Sequence, residues 1–283
     1  MNTLLENRST ALFLDSGDPT ETRESLKLLG FLDGQTTNPS LIAKNPEVQE
    51  FLKTQKFSRD HLLAKYQEIA IHVHDVIPNG KISVEVYVAP TSLYQDVLDQ
   101  AHIMATWFPG VYIKLPITEV GLQVASQLVS EGINVNMTLC FSQEQAAAVH
   151  TATKHATTSS VFVSPFVGRL DDIGENGIDL IKNIHTMYQS WGSHVGILGA
   201  SIRTHAHIAG CQNLGIAAMT IPFKLIESIV HEIPEVANEA QILTPIEYKE
   251  LPVEESWDHY VITHPLTSKG LDKFVSDWNS LSM

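Results

Sequence analysis

Cysteine is scarce in this chain of 283 residues, which carries only Cys140 and Cys211. Two thiols in apolar or helical surroundings read as buried free cysteines of a reducing compartment, not as a disulfide framework. Positive charge is scarce too: 18 Lys and Arg stand against 32 Asp and Glu, a net charge of −14. Such a surface repels nucleic-acid phosphate and anionic lipid, which argues against both as partners. An anionic ligand would need a local basic site against that background. Long apolar runs are missing, since no uncharged apolar run approaches the roughly 18 residues of a membrane span. The polar segment Met1 to Thr10, with Glu6 and Arg8, lacks the apolar core of a signal peptide. These absences predict a soluble cytoplasmic protein.

What is present is ample apolar material, 43% of the residues, with 18% charged. That suits one large α/β domain or two small ones. Short apolar runs alternate with helical patterns along the chain. The strand-like runs are Ala11–Leu14, Phe31–Thr37, Ile82–Val88, Val111–Thr118, Ile133–Leu139, Val161–Val163, Val195–Ala200 and Gly215–Ile221. Helix signals fall between them. Asp18 before Pro19 caps a helix that Gly30 ends, and Thr118 caps another that runs to Glu131. Ser142 and Gln145 have capping-box spacing, and Pro222 starts the helix after the last strand. Each of the eight strands is followed by a helix, the connection parallel strands require. The count and length fit a closed (β/α)8 TIM barrel. An open doubly wound sheet is the alternative, and the lack of a glycine-rich dinucleotide fingerprint after the first strand weighs against it. Residues 1–283 read as a single barrel domain, with 235–283 as a C-terminal extension packing on it. In that extension, Glu235 to Glu255 is acidic and mixed, and a final helix spans Ser268 to Leu281. Leu271, Phe274, Val275, Trp278 and Leu281 recur along it at helical spacing, an apolar face for the barrel or a cover for its mouth.

One strand carries the decisive residue. In Val111-Tyr-Ile-Lys-Leu-Pro-Ile-Thr118, six of eight residues are apolar or aromatic, as in strands buried on both faces. Lys114 sits in the middle. Burial disfavours the charged form of an ammonium, and an uncharged amine is a nucleophile that forms Schiff bases with carbonyls. Taken alone, the stretch also allows Lys114 to sit at the strand end and reach solvent. The other strand ends decide between these readings. In order they offer Asp15, Asn38, Glu85, Lys114, Asn136 with Thr138, Ser164 with Arg169, and Ser201 with Arg203. Singly each is weak: Asp15 could cap a helix, Asn38 could make a turn before Pro39, and Arg169 could pair with Asp171 or Asp172. In a barrel, however, chemistry gathers at the carboxyl ends of the strands. Carboxylates, hydroxyls, amides, a lysine and two arginines around one axis make sense as a sugar-phosphate site. His72-x-His74 and His205-x-His207 supply too few ligands for a metal, so none is expected.

The segments Phe13-Leu-Asp15, Asp33-Gly-Gln-Thr-Thr-Asn-Pro-Ser40, Val84-Glu-Val86, Ile113-Lys-Leu-Pro116, Asn136-Met-Thr-Leu-Cys-Phe-Ser142, Ser164-Pro-Phe-Val-Gly-Arg169 and Ala200-Ser-Ile-Arg203 resemble the transaldolase family. The resemblance runs in order from about Leu12 to Ile229. It implies a Schiff base on Lys114, in the fourth strand. Asp15 would act as the base at the C4 hydroxyl, with Glu85 and Thr138 holding a water for proton transfer. It implies Asn38 and Asn136 on substrate hydroxyls, Arg169, Ser201 and Arg203 on the phosphate, Ser164 and Phe166 shaping the wall, and no cofactor. His207 would at most line the phosphate pocket. The activity implied is transfer of a dihydroxyacetone unit from a ketose phosphate to an aldose phosphate in the non-oxidative pentose phosphate pathway. The related fructose-6-phosphate aldolases resemble this chain in the lysine and aspartate but carry Gln at the position of Glu85 and Tyr at that of Phe166. Glu and Phe here favour transfer over cleavage. The chain departs from the short transaldolases, which often read Lys-x-Pro-x-Thr-x-Glu-Gly, in having Val120 before Gly121. A barrel that binds sugar phosphate without turnover is a third reading, and it leaves Asp15, Glu85 and Lys114 unexplained. The expected partners are small-molecule sugar phosphates, with no nucleic acid and no membrane, and a homo-oligomer is compatible with the sequence.

Overall fold

Alternating β-branched runs and amphipathic segments fold as the pattern predicts, into strands that lie parallel and helices that cover them. The computed structural model describes residues 9–231, 242–254 and 256–282. Residues 1–8, which hold most of the polar N-terminal stretch, and residues 235–241, 255 and 283 of the expected extension lie outside the described residues. In chain order, β1 is Ala11–Asp15, α1 Pro19–Leu29, β2 Gly34–Thr36, α2 Pro39–Lys44, α3 Pro46–Leu52 and α4 Arg59–Val76. β3 is Lys81–Glu85, α5 Tyr94–Ala105, β4 Tyr112–Pro116, α6 Glu119–Ser130, β5 Asn134–Cys140 and α7 Gln143–Ala152. β6 is Val161–Pro165, α8 Val167–Asp171, α9 Gly177–Trp191, β7 Val195–Gly199, α10 His205–Leu214, β8 Ala218–Ile221, α11 Phe223–Val230 and α12 Pro265–Leu281. The eight strands pair in sequence order and β8 closes on β1, giving a barrel and ruling out the open sheet.

Local chemistry fixes the joints. Asp18 accepts from Thr20 N at 2.8 Å at the start of α1, and Thr118 accepts from Gly121 N at 3.0 Å at the start of α6. Gly121 is there because α6 leaves β4 so closely: a Cβ on it would lie 2.0 Å from the Pro116 carbonyl oxygen. Ser142 caps α7 as its spacing predicts, accepting from Gln145 N at 3.1 Å. The reciprocal bond differs, since Gln145 accepts from Phe141 N at 2.7 Å, one residue before the cap.

Several strands are shorter than their apolar runs. β2 begins at Gly34, not Phe31, and β8 at Ala218, because Gly215 still caps α10. β3 ends at Glu85, which the sequence reading put mid-strand. Val86 still donates to Lys114 O at 3.0 Å, after which the chain turns out toward Pro90. An alternating pattern marks burial, and burial continues at Val86 and Val88 after the strand stops. Arg169 is not at a strand end but on α8.

The barrel interior has two levels. Below, Phe13, Tyr112, Phe162, Leu198 and Ala218 form a separate apolar plug, with the Phe13 and Phe162 rings edge to face at 6.0 Å. Two residues further along their strands come Asp15, Lys114, Ser164 and Thr220. Side chains alternate between the two faces of a strand, so each of these points inward like the plug residue before it. The inward face thus changes from apolar to polar within one step. Among the described residues no helix is long and apolar enough to cross a membrane. Cys140 and Cys211 are buried free thiols, and burial pushes both up to about 12.

Candidate active site

Strand pairing brings three of the expected residues into one row: Glu85 lies opposite Lys114, and Lys114 opposite Asn136. Lys114 does not reach bulk solvent; its side chain is 4% exposed and that of Glu85 2%. The amine lies 3.0 Å from Glu85 Oε2 and donates to the Thr37 carbonyl at 3.1 Å. Thr37 is held in turn, its hydroxyl donating to Ser83 O at 2.8 Å. The Tyr66 phenol, 2.5 Å from that hydroxyl, therefore donates to it and accepts from Glu85 N at 2.8 Å. Tyr66 was not singled out from the sequence; only its place on the inner face of α4 hints at it.

The pocket above this row has a volume of about 210 Å³, with Asp15, Thr36, Asn38, Lys114, Thr138, Ser164, Phe166, Arg169, Ser201 and Arg203 on its walls. Asp15 Oδ1 accepts from Thr36 Oγ1 at 2.7 Å, and Thr36 is 2.7 Å from Thr220 Oγ1. Burial raises the Asp15 carboxyl above its ordinary value, against the pull of the Lys114 ammonium and the Thr36 hydroxyl. Glu85 is raised by the same cause and against the same lysine. Both acids are thus held closer to neutrality than surface carboxylates, beside one amine. Thr138 Oγ1 is buried on the wall and has no protein hydrogen-bond partner among the described residues. Such an atom is available to a ligand or a water.

Two expected residues stand behind the wall. Glu85 reaches the pocket only through Lys114. The Asn136 amide donates to Ser83 Oγ at 3.0 Å and accepts from Ser164 Oγ at 2.7 Å, so Ser164 faces the pocket with Asn136 at its back. Asn38 caps α2, accepting from Leu41 N at 2.9 Å, and still edges the cavity.

Basic groups gather at the rim. The sequence left open a pairing of Arg169 with Asp171 or Asp172, and neither forms. Arg203 takes Asp172 through two bonds of 2.5 and 2.9 Å, and His207 takes Asp171 at 2.7 Å. The His207 ring also accepts from Arg203 N at 3.3 Å, so it braces the arginine loop and does not line the pocket. His205 instead meets Ser228 Oγ at 3.0 Å. The Arg169 guanidinium lies over Phe166 at 5.0 Å and Phe274 at 5.8 Å. Burial and the neighbouring Arg203 lower its pKa from the ordinary value. Ser201, with φ 55°, and Leu139, with φ 60°, hold left-handed backbone at this rim. Such strain in non-glycine residues clusters at ligand sites.

Thr36, Ser40, Lys44, Thr220 and Phe274 also line the pocket and were missed as site residues. Thr220 had a signal, being the last inward position of the eighth strand. Lys44, at the exposed end of a short helix, had none.

A family model described as "Transaldolase/Fructose-6-phosphate aldolase" matches residues 12–283. A "Probable transaldolase" from Dehalococcoides mccartyi is 31% identical over 270 residues, covering 95% of this chain and 98% of its own length. Another from Brucella ovis is 34% identical over 266 residues, covering 94% of this chain and 95% of its own. A solved structure described as a "putative phosphonomutase" from Burkholderia cenocepacia J2315 aligns with TM-score 0.50 and 12% identity. It covers 81% of this chain and 95% of that one, a likeness of fold alone.

Proposed function

The chain belongs to the transaldolase/fructose-6-phosphate aldolase family, and from that premise we propose that it is a transaldolase working through a Schiff base on Lys114. Its donor would be fructose 6-phosphate or sedoheptulose 7-phosphate, and its acceptor erythrose 4-phosphate or glyceraldehyde 3-phosphate. The observation that carries this reading is the buried Lys114 amine, 3.0 Å from Glu85, on a wall shared with Asp15 and beneath two arginines.

The Lys114 amine adds to the ketone carbon of the donor. The resulting carbinolamine loses its hydroxyl as water and leaves a protonated imine. Glu85, raised by burial, exchanges the proton, with Thr138 Oγ1 holding the water. Asp15 then takes the C4 hydroxyl proton, the C3–C4 bond breaks, and its electron pair moves into the imine to give an enamine. An aldose phosphate leaves. The enamine attacks the aldehyde carbon of a second aldose phosphate, Asp15 returns its proton to the new hydroxyl, and hydrolysis frees Lys114. Arg169, Arg203 and Ser201 hold the phosphate, a task suited to guanidinium groups. Asn38 binds a substrate hydroxyl, while Asn136 acts through Ser164. The work belongs to the non-oxidative pentose phosphate pathway in the cytoplasm.

Reduction with borohydride in the presence of fructose 6-phosphate tests the chemistry. The expected result is a stable mass increase on the peptide containing Lys114; an adduct on another residue, or none, overturns it. The family also contains aldolases, and product analysis separates the two activities. With erythrose 4-phosphate present, transfer is expected to outpace release of free dihydroxyacetone, and the reverse ratio would make the enzyme a lyase.

A further inference from the structure

We propose that Gly270 of α12 is a positioning residue for Arg169: its missing side chain leaves the space in which the guanidinium is seated. The inference rests on the reading that Arg169 binds the substrate phosphate.

Among the described residues Arg169 carries no ion pair, unlike Arg203, which Asp172 grips at both ends. Packing therefore sets its position. Phe166 and Phe274 lie against it at 5.0 and 5.8 Å. The third contact is the α12 backbone. A Cβ on Gly270 would fall 2.8 Å from Arg169 Nη1 and 2.6 Å from Leu139 Cδ2, closer than side-chain carbons approach such atoms. Both neighbours are ends of flexible side chains, so a methyl group there moves them and leaves the fold standing.

The helix itself cannot back away. One turn before Gly270, Thr267 Oγ1 donates to Leu139 O at 2.9 Å and is held by Gln145 at 2.8 Å. Beyond Phe274, Asp277 bonds Ser40 on α2. Thr267, Gly270, Phe274 and Asp277 form one stripe, spaced three or four residues apart, that spans the mouth from β5 to α2. A glycine inside a helix costs about 1 kcal/mol relative to alanine. At Gly270 that cost secures a pocket-facing guanidinium with its donors free.

The test compares Gly270→Ala, Arg169→Gln and the double variant in the full chain, with fructose 6-phosphate and fructose as donors. Gly270→Ala is expected to raise KM for the phosphorylated donor about tenfold, the loss of one charge-assisted hydrogen bond. The kcat, the KM for fructose and the thermal midpoint should stay near wild type. Arg169→Gln should do the same or more, and the double variant should lose no more than Arg169→Gln alone. If Arg169→Gln discriminates phosphate and Gly270→Ala does not, or if their losses add, Gly270 has no positioning role. If Arg169→Gln leaves phosphate discrimination intact, the phosphate reading of Arg169 fails instead. Should Gly270→Ala not fold, combining it with Leu139→Ala removes the clash with Leu139 and leaves the one with Arg169. Compared with Leu139→Ala alone, the pair is expected to give the same phosphate-specific rise in KM, and no rise, or equal losses on both donors, would overturn the proposal.

Discussion

Single side chains carry the pH behaviour. In the proposed mechanism Asp15 is ionised when it takes the C4 proton, and burial holds its pKa above the ordinary carboxylate value. Activity should therefore fall as pH drops through that raised value and be complete above it, so the acid limb of the kcat profile lies above that of a free aspartate. The Lys44 charge lowers the Asp15 pKa, so Lys44→Gln should shift the limb further upward; a limb that stays put or moves down refutes the coupling. Asp15→Asn, which cannot accept the proton, should cut kcat by about 10²–10⁴ while leaving the borohydride adduct at Lys114 detectable. Of the named site residues, those read as inward positions of a barrel strand were legible from the sequence, because period two and strand order place them. What the sequence did not reveal is which of them stand behind others. Glu85 and Asn136 share a row with Lys114, yet only distances show that one reaches the pocket through the amine and the other through Ser164.

Helices and strands had clear beginnings and blurred ends. Caps such as Asp18, Thr118 and Ser142 are chemical events at one residue, and each stands where the sequence put it. The strand end at Glu85 depends on the neighbouring strand, which no local pattern encodes, whereas the start of β8 at Ala218 follows from the Gly215 cap of α10. The sequence offered α12 two seats, on the barrel side or over its mouth, and contacts distant in sequence decide between them by setting Phe274 on the pocket. Two of the closely packed glycines, Gly121 and Gly270, make contrasting predictions. Gly121→Ala sets a methyl group 2.0 Å from a backbone oxygen that cannot rotate away. It should destabilise by about 1–3 kcal/mol or more, as overpacking does, measured by urea unfolding, whereas Gly270→Ala should cost little. A second prediction concerns α7. Burial, and then the nearby His194, lower the His150 pKa from 6.5 to about 4. A histidine kept neutral in the fold contributes stability that is present above its unfolded pKa and lost as pH falls toward the folded one. The drop in thermal midpoint between about pH 7 and about pH 5 should thus be smaller in His150→Gln; an unchanged drop would assign the acid sensitivity elsewhere.

The net charge gives a test of partners. With a net charge of −14, the expectation is no association with duplex DNA or with vesicles rich in anionic lipid, even at low salt where such binding is strongest. Co-sedimentation with either would reverse it. Against that charge, the cationic rim of Lys44, Arg169 and Arg203 is the local exception, and on the proposed reading it is where the sugar phosphate would enter. Removing one of these, as in Arg203→Ala, should weaken phosphorylated donors far more than unphosphorylated ones, and equal losses would exclude a phosphate role.

Synthesis runs from β1 toward α12, so the ribosome releases all eight strands well before Gly270 and Phe274 emerge. A growing chain can close its barrel around Lys114 while the seat for Arg169 is still unmade. On the proposed reading, the seat of the phosphate-binding arginine would therefore be the last part of the pocket to be made, after Lys114 is already walled in.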